Sequence, residues 1–328
     1  MKNILIIGGG GYIGTVVSKF LLNSGHKVKV LDNFIYDNLS AVKELQELQN
    51  FSLVNGDMCS ENIYQNLMKD ITDVIILGGL VGDPITKKYP ELHNKINVKG
   101  VKNCINILKK HSFNKLIFIS TCSNYGLISD SEIADENFPL NPLSLYAKAK
   151  VEIENFILSL KEEKINFDPV ILRFATAFGA SPRMRFDLTI NEFAFELLKG
   201  NELLVYDPDT WRPYCHVKDF SNAFITVLNS PKEKVAYNVF NVGDTKENYT
   251  KKMLVDEIKK IIPNSKIKYV AKNDDPRDYR VNCDKIKNEL GFKISMTVPD
   301  GIMEIKRVIL ENLIKDPEDQ KYYNIPHE

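Results

Sequence analysis

The chain has 328 residues with no net formal charge, 44% hydrophobic and 26% charged residues, an ordinary composition for a soluble globular protein. The lack of a basic excess argues against a nucleic-acid-binding protein, and no apolar run approaches the ~20 residues of a membrane-spanning helix. Five scattered cysteines without a CxxC pair, and no other metal-ligand spacing, predict a cytoplasmic protein with neither a disulfide framework nor a metal site.

Short apolar runs alternate with helical patterns through the first half of the chain. Parallel strands that are buried on both faces read as continuous apolar runs, so this alternation predicts an α/β fold with a Rossmann-type, doubly wound parallel sheet. The predicted strands are 3–7, 27–31, 52–54, 73–77, 115–120 and 167–173, and the predicted helices are 12–24, 41–48, 61–69, 91–111 and 143–163.

The second half has longer loops and fewer strand patterns. Helices are predicted at 187–199, 219–229 and 250–262, and a strand at 237–242 that returns to the sheet. We therefore expect a nucleotide-binding Rossmann domain over 1–177, joined in part by 214–243. The rest, 178–328, is expected to form a smaller C-terminal α/β domain that binds the substrate.

A glycine-rich loop follows the first strand in ILIIGGGGYIG, with Gly8, Gly11 and Gly14 before a helical pattern. In a dinucleotide site one glycine allows a sharp turn, another lets the backbone approach a pyrophosphate, and a third lets the helix pack closely. The helix N–H groups then face the anion. A simple strand–helix turn could also use glycine, but the strand–loop–helix context favours the dinucleotide site.

Two acidic residues follow the next two strands. Asp32 lies 18 residues beyond Gly14, where a carboxylate suits the adenosine ribose hydroxyls and repels a 2′-phosphate. No Arg or Lys follows it immediately, which favours NAD over NADP. Asp57, in NGDM, either caps the following helix or contacts the adenine.

A tyrosine and a lysine four residues apart, Tyr146 and Lys150 in YAKAK, share one face of a predicted helix. A nearby ammonium lowers the pKa of a phenol, which then takes a proton from a sugar hydroxyl while hydride passes to nicotinamide. The spacing alone is common on helices. Thr121, at a strand end in FISTCSNYG, adds a hydroxyl for the same substrate oxygen, and the three together predict a catalytic site.

These motifs resemble the extended short-chain dehydrogenases/reductases, specifically the nucleotide-sugar epimerase/dehydratase group. The resemblance covers nearly the whole chain, including LGG at 77–79, INVKG, RFATAFG, RPYCHVKD and DPRDYR. It implies Thr121, Tyr146 and Lys150 as catalytic residues. It also implies cofactor contacts from Tyr12, Ile13, Asn33, Met58, Leu77, Gly78, Gly79 and Asn97, and from Tyr146 and Lys150 themselves.

Two positions depart from the family pattern. Dehydratases of the family have Asp-Glu directly after the catalytic threonine, whereas this chain has Cys122 and Ser123. Dehydration is therefore disfavoured, and Cys122 is interpreted as a buried structural thiol. Thr176 stands where many epimerases have an asparagine that touches the sugar-diphosphate.

All seven arginines lie after residue 172, although the chain has 43 Lys and Arg in total. A guanidinium grips phosphate oxygens at two points, so the arginines are predicted to hold the diphosphate of a nucleotide-sugar, with surface charge or ion pairing as the alternative. Arg173, inside an apolar strand, is predicted to form a structural ion pair. His216 is predicted to be structural, and Asp219 to cap the next helix. The predicted substrate residues are Val81, Thr176, Arg183, Arg185, Asn191, Arg212, Arg277 and Arg280.

The expected activity is oxidation of a nucleotide-diphosphate sugar at C4, with release of the keto sugar by a dehydrogenase or hydride return by a 4-epimerase. Similarity to a subgroup that includes the GDP-heptose 4-dehydrogenase of bacterial capsule synthesis favours a dehydrogenase and a GDP-linked sugar. The alternatives are a non-catalytic NAD(H) sensor and an NADP-linked reductase of small carbonyls. The family also implies a homodimer that pairs helices near 94–110 and 143–163.

Overall fold

The computed structural model describes residues 1–129, 131–272 and 277–324. Seven parallel strands form the central sheet: β1 (Asn3–Ile7), β2 (Lys27–Asp32), β3 (Phe51–Asn55), β4 (Asp73–Ile76), β5 (Lys115–Thr121), β6 (Asp168–Phe174) and β10 (Asn238–Val242). Their order is β3-β2-β1-β4-β5-β6-β10. This confirms the predicted α/β fold, and β10 is the strand predicted at 237–242.

Thirteen α-helices surround the strands within the described residues. They are α1 (Tyr12–Asn23), α2 (Lys43–Gln46), α3 (Glu61–Leu67), α4 (Asp83–Lys88), α5 (Pro90–His93), α6 (Val101–Leu108), α7 (Leu145–Ser159), α8 (Thr189–Leu198), α9 (Val217–Asn229), α10 (Lys232–Val235), α11 (Lys251–Ile261), α12 (Asp284–Leu290) and α13 (Val298–Leu310). Residues Asn94–Gly100 form a π-helix between α5 and α6. The single helix predicted over 91–111 was therefore wrong, because two α-helices and a π-helix share that region.

The sheet is buried on both faces by alternating residues of its strands. In β1, Ile4 and Ile6 pack in one core cluster with residues of α1 and α9, whereas Leu5 and Ile7 pack in another with residues of α3, α6 and α7. The strand order reverses between β1 and β4, whose chains leave the sheet in opposite lateral directions. Ligands of such sheets bind in the crevice at the carboxyl ends of these two strands.

Further strands lie outside the central sheet. Three of them, β7 (Thr176–Phe178), β9 (Trp211–His216) and β11 (Asn248–Thr250), form one sheet, while β8 (Glu202–Tyr206) pairs in parallel with β12 (Lys266–Val270). They share a separate core with α8, α11 and α13. The sequence analysis missed these strands but predicted α8, α9 and α11. None of the helices in the described part of the chain has the length and hydropathy to span a bilayer.

Candidate active site

The glycine loop joins β1 to α1 at the point where the strand order reverses. Gly8 has a φ of +81°, and a Cβ there would lie 2.4 Å from the Cα of Gly78, just after β4. The two loops can approach this closely because Gly8 lacks a side chain, whereas a Cβ at Gly78 would lie 3.7 Å from the Gly8 backbone, an ordinary contact. A Cβ at Gly11 would meet nothing nearer than the Gly8 carbonyl, at 3.8 Å. The backbone at Gly11 is therefore open to the crevice.

A cavity of about 400 Å³ lies against this loop. Most of the residues predicted to bind the cofactor line it: Gly8, Gly11, Tyr12, Ile13, Gly14, Asp32, Asn33, Asp57, Met58, Leu77, Gly78 and Gly79. Val81, Arg183 and Arg185 from the predicted substrate set line it as well. We call residues 8–14, 32 and 77–81 the glycine wall, and residues 180–187 with 320–324 the arginine wall.

Asp32 closes the glycine wall from the end of β2. Its carboxylate accepts hydrogen bonds from the N–H groups of Gly10 and Phe34, both at 2.8 Å. Burial raises its pKa above the ordinary value. Asp57 accepts from the Cys59 N–H at 2.8 Å, whereas the N-cap of α3 is Ser60. Asp57 therefore does not cap the helix and belongs to the cavity.

Asn97 is a correction to the predicted cofactor set, because its side chain lies behind the glycine wall rather than on it. Its Oδ1 accepts from the Leu80 N–H and its Nδ2 donates to the Leu80 carbonyl, both at 2.7 Å. The same Nδ2 lies 2.9 Å from Nδ1 of His93. The amide is 6% exposed. Asn97 therefore fixes the backbone of the wall from the π-helix.

The structure brings Tyr146 and Lys150 together on α7. Lys150 is buried, donates to the Ile119 carbonyl at 2.8 Å, and has its Nζ 5.6 Å from the centre of the Tyr146 ring. Thr121 is the last residue of β5, and its Oγ1 accepts from the Ser123 N–H at 3.1 Å. The turn that follows, Cys122–Tyr125, packs against α7.

Burial dominates the protonation of both residues. Burial raises the pKa of Tyr146 above its ordinary value, and the nearby Asp83 raises it further. Arg185 opposes both effects and lowers the pKa. Burial lowers the pKa of Lys150 to about 7. The predicted lowering of the tyrosine pKa by Lys150 was therefore wrong for these residues by themselves, since Arg185 is the cation that opposes burial most.

A buried ion pair supports the strands beneath this site. Arg173 donates to Glu154 of α7, with Nη2 to Oε2 at 2.7 Å, and both side chains are almost fully buried. This confirms the predicted structural pair. Glu154 also accepts from Ser120 and Asn124, next to Thr121. Cys122 is 1% exposed and burial raises its pKa, so its interpretation as a structural thiol is confirmed.

The two arginines of SPRMRFD are held by partners within the protein. Arg185 donates through Nε and Nη2 to the two carboxylate oxygens of Asp187, each at 2.7 Å. Arg183 donates to Oδ1 of Asn324 at 2.7 Å, and its guanidinium lies 4.8 Å from the centre of the Tyr36 ring. Both side chains line the cavity, so they lie beside the glycine wall and not in a separate pocket.

The other predicted substrate residues do not line this cavity, and their role in substrate binding stays a prediction. Asn191 is fully buried, where it accepts from the Gly179 N–H at 3.0 Å and donates to the Arg185 carbonyl at 3.0 Å. It therefore shapes the arginine wall from α8. The remaining four are Thr176 at the start of β7, Arg212 over the Tyr279 ring, Arg277 paired with Asp83, and Arg280 over the Trp211 ring.

His216 is structural, as predicted, but Asp219 does not cap α9. The Nδ1 atom of His216 accepts from the Lys218 N–H at the helix start, and Nε2 lies 2.8 Å from Glu304. We assign the proton to Nε2, since Nδ1 is an acceptor. Asp219 instead accepts from the N–H groups of Ser295 and Met296, at 2.8 and 3.1 Å. It thereby ties α9 to the segment before α13.

Several cavity residues were missed by the sequence analysis. Asn38 donates to the Gly10 carbonyl at 2.5 Å, and Asn324 donates to the Val81 carbonyl at 2.7 Å. Cys59 lines the cavity and is half-buried, whereas the other four thiols are buried. Tyr36 and Lys95 complete this group. Cys59, Tyr36 and Asn38 follow predicted cofactor residues closely in the sequence, whereas Lys95 and Asn324 reach the cavity through tertiary contacts.

The chain was compared with known proteins. The NAD dependent epimerase/dehydratase family matches residues 4–243. The chain belongs to this family. A putative UDP-glucose 4-epimerase of Methanocaldococcus jannaschii is 28% identical over 314 residues, covering 93% of this chain and 97% of that protein. The UDP-glucose 4-epimerase of Bacillus subtilis is 25% identical over 315 residues, covering 88% and 91%.

Solved structures agree with the sequence comparison. The dTDP-glucose 4,6-dehydratase of Bacillus anthracis, solved in complex with NAD, has a TM-score of 0.83 and 25% identity, and the match covers 97% of this chain and 98% of that one. The predicted NAD dependence is therefore confirmed at the level of the family. The residues present fit the cofactor, because the backbone at Gly11 is open to the cavity and Asp32 lies beside it.

Proposed function

We propose that this protein oxidises a nucleotide-activated sugar at C4 to a 4-keto sugar, with NAD as the oxidant. The observation that carries the proposal is the placement of Tyr146 on α7, with its ring centre 5.6 Å from Nζ of Lys150 and close enough to Arg185 and Tyr36 for both to act on its pKa. Both of these neighbours line the cavity of the glycine loop. A sugar hydroxyl at Tyr146 would therefore lie beside the dinucleotide.

The chain's own residues provide the acid–base chemistry of the proposed step. In the proposed step the Tyr146 phenol, whose pKa burial raises, must first lose its proton; its oxygen then takes the proton of the C4 hydroxyl, while Oγ1 of Thr121 hydrogen-bonds the same oxygen. When bound, NAD accepts the hydride from the sugar carbon. Lys150 donates a hydrogen bond to the Ile119 carbonyl. In those molecules in which it is protonated, Lys150 places a positive charge beside the proton-transfer site.

The arginine wall supports a nucleotide-diphosphate substrate. Arg183 and Arg185 face the cavity, and a diphosphate would compete with Asn324 and Asp187 for their donors. Guanidinium groups bind phosphate oxygens at two points, which makes this exchange favourable for a dianionic ligand. We extend the proposal to GDP-linked sugars, and to a heptose in particular, from the resemblance of the sequence motifs to GDP-heptose 4-dehydrogenase.

Dehydration at the neighbouring carbon is disfavoured by the turn after Thr121. The thiol of Cys122 is buried and bonded to the Arg173 carbonyl, and the Ser123 hydroxyl lies 3.0 Å from the Tyr279 hydroxyl. Neither group is a carboxylate, so the elimination lacks its usual acid and base.

A 4-epimerase is the second candidate, since two relatives that span most of the chain are named as UDP-glucose 4-epimerases.

The first test is a thermal-shift screen with GDP-, UDP-, dTDP- and CDP-sugars, followed by NADH absorbance with any sugar that binds. A dehydrogenase gives NADH in proportion to the sugar consumed, whereas an epimerase gives a new sugar without net NADH. Tyr146→Phe should lower turnover by about 10²–10⁴-fold, because the proton acceptor is lost. A Tyr146→Phe variant that loses no turnover because the wild type itself has none would favour the NAD(H) sensor, and failure of all the nucleotides to bind would favour the small-carbonyl reductase.

We also propose that the two parts of the chain bind different ligands and that the protein forms a homodimer. Residues 1–177 would bind NAD and 178–328 mainly the nucleotide-sugar. Two copies would pair through α6, α7 and their neighbouring turns, which are already linked within one chain by Lys102 and Glu152 at 2.6 Å. A mass measurement in solution tests the dimer, and a monomeric mass would contradict it.

A further inference from the structure

His93, the last residue of α5, is a buried polar residue that the proposed chemistry does not use. Its side chain is 4% exposed and lies between the π-helix and α7. Its Nε2 atom lies 3.0 Å from the Leu145 carbonyl, and its Nδ1 atom lies 2.9 Å from Nδ2 of Asn97. Leu145 is the first residue of α7 and directly precedes Tyr146.

The direction of every hydrogen bond in this chain of contacts is fixed. The Leu80 N–H donates to Oδ1 of Asn97, so the Asn97 amide must present its NH₂ group to His93. Nδ1 of His93 is then the acceptor, and its proton lies on Nε2, where it donates to the Leu145 carbonyl. The arrangement requires a neutral imidazole, because a proton on Nδ1 would face the NH₂ group.

The two ends of this chain of contacts are the two parts of the reaction site. Leu80 belongs to the glycine wall, in the segment that follows β4 and lines the cavity. Leu145 starts the helix that carries Tyr146 and Lys150. The π-helix and α4 both pack against α7, so the contacts lie inside one packed unit.

We infer that His93 is a positioning residue, which sets the catalytic helix against the cofactor wall through Asn97 and the Leu145 carbonyl. This inference rests on the proposed function, since it concerns the alignment of Tyr146 with the reacting carbon. Misplacement of a catalytic group by ~1 Å can cost about 10²-fold in rate. The connection passes through the side chains of Asn97 and His93, and protonation of His93 at Nδ1 breaks it.

The charged groups around His93 act on it in opposite directions. Burial lowers the pKa of His93 below its ordinary value, and Lys150 on α7 lowers it further. Asp83 on α4 raises it, while the π-helix faces the imidazole with the neutral amide of Asn97. The neutral form therefore prevails near neutral pH, and the connection should be lost only on the acid side.

The test compares His93→Leu, which removes both bonds, with His93→Gln, whose amide can still donate to the Leu145 carbonyl. His26→Gln is the matched control, because Nδ1 of His26 also accepts a backbone N–H, from Lys2 at 3.2 Å, and burial also lowers its pKa. His26 precedes β2, at the opposite end of the strands from the site. Each variant is assayed for kcat, KM, NAD affinity, melting temperature and pH profile.

We expect His93→Leu to lower kcat by about 10–100-fold with a KM change of less than about threefold. His93→Gln should keep most of kcat and lose the acid inflection that the wild type shows, and His26→Gln should match the wild type. A His93→Leu variant with reduced melting temperature but unchanged kcat would overturn the inference. So would a His93→Gln variant that keeps the wild-type acid inflection.

The outcome is separable from that of the proposed function. A wild type that reduces no NAD with any nucleotide-sugar overturns the proposed function. In that case the tautomer of His93, read from its ring-nitrogen shifts by NMR, still tests the contact itself, and a proton on Nδ1 at neutral pH would contradict it. A wild type that turns over, with an equally active His93→Leu, overturns the positioning role alone.

Discussion

The two walls of the cavity are built in different ways. The glycine wall depends on backbone geometry, such as the approach of Gly8 to Gly78, and on backbone hydrogen bonds to Asp32. The arginine wall depends on side chains from distant parts of the chain, such as Arg183 with Asn324 and Glu304 with the Ala180 N–H at 2.7 Å. We therefore expect added side-chain atoms to destabilise the glycine wall most, and loss of a charged group to destabilise the arginine wall most.

The largest effect is expected at Gly8. Gly8→Ala adds a Cβ 2.4 Å from the Gly78 backbone in a residue with positive φ, so strain and overpacking together should lower the free energy of unfolding by about 4 kcal/mol. NAD binding should be lost as well. Chemical denaturation and calorimetric titration with NAD measure both.

Gly25 provides a matched control for this prediction. Its φ of +80° nearly equals that of Gly8, but a Cβ there meets nothing within 4 Å. Gly25→Ala should therefore show only the left-handed strain of about 1–2 kcal/mol and unchanged NAD binding. Equal losses in the two variants would mean that the contact with Gly78 contributes nothing.

The next effect is expected at Glu304, whose carboxylate holds the start of the arginine wall. Its pKa is lowered to about 2 from the ordinary 4.5; burial opposes this shift, but bonds from His216, Lys218 and the Ala180 N–H outweigh it. A lowered pKa stabilises the fold above the ordinary value, and the gain is lost as pH falls toward 2. Glu304→Gln should thus cost about 2–3 kcal/mol at neutral pH.

The pH dependence distinguishes the charge of Glu304 from its packing. Between pH 4.5 and about 2 the difference in unfolding free energy between wild type and Glu304→Gln should shrink toward zero, since the wild-type carboxylate becomes protonated. A difference that stays constant over this range would assign the cost to packing.

A smaller effect is expected at Arg185. Arg185→Lys keeps the charge but replaces two hydrogen bonds to Asp187 with one, which should cost about 1–2 kcal/mol. The proposed nucleotide-sugar should bind more weakly, as measured by its KM, while NAD affinity changes little. An equal loss for NAD and the sugar would mean that the two walls bind as one unit.

The smallest effect is expected at Asn324, which connects both walls. Asn324→Asp keeps the acceptor for Arg183 but loses the donor to the Val81 carbonyl, whereas Asn324→Leu loses both bonds. We expect about 0.5 kcal/mol for each lost bond, so Asn324→Leu should melt lower than Asn324→Asp. Equal melting temperatures would show that the Arg183 bond contributes nothing, and the reverse order would mean that repulsion between the new carboxylate and the Val81 carbonyl outweighs the bond to Arg183.

The same difference between the walls explains how much could be predicted from the sequence. The glycine wall is encoded locally, since apolar runs mark the strands and Gly8 to Asp32 follow them at fixed spacing. Partners in the arginine wall are 141 residues apart for Arg183 and Asn324, and no local pattern encodes such a pair. Within the described residues, four of the seven arginines pair with carboxylates of the protein itself: Arg173, Arg185, Arg277 and Arg307.

The missed elements have local causes too. The strand β8 is five residues long with every other residue exposed, and β9 contains Arg212 and Pro213, which are atypical of strands. The π-helix was missed because its residues also suit an α-helix. Asn97 and Asn191 have the residue type of ligand contacts, yet burial commits their amides to the backbone.

The placement of the cysteines provides a spectator probe of ligand occupancy. Cys59 alone among the five thiols is only half-buried, and it borders the cavity. A slow alkylating reagent should therefore modify the native protein at this one position, and a dinucleotide in the crevice should shield it. The rate of Cys59 alkylation then measures the fraction of protein with a dinucleotide in the cavity, and the measurement does not require the sugar to be known.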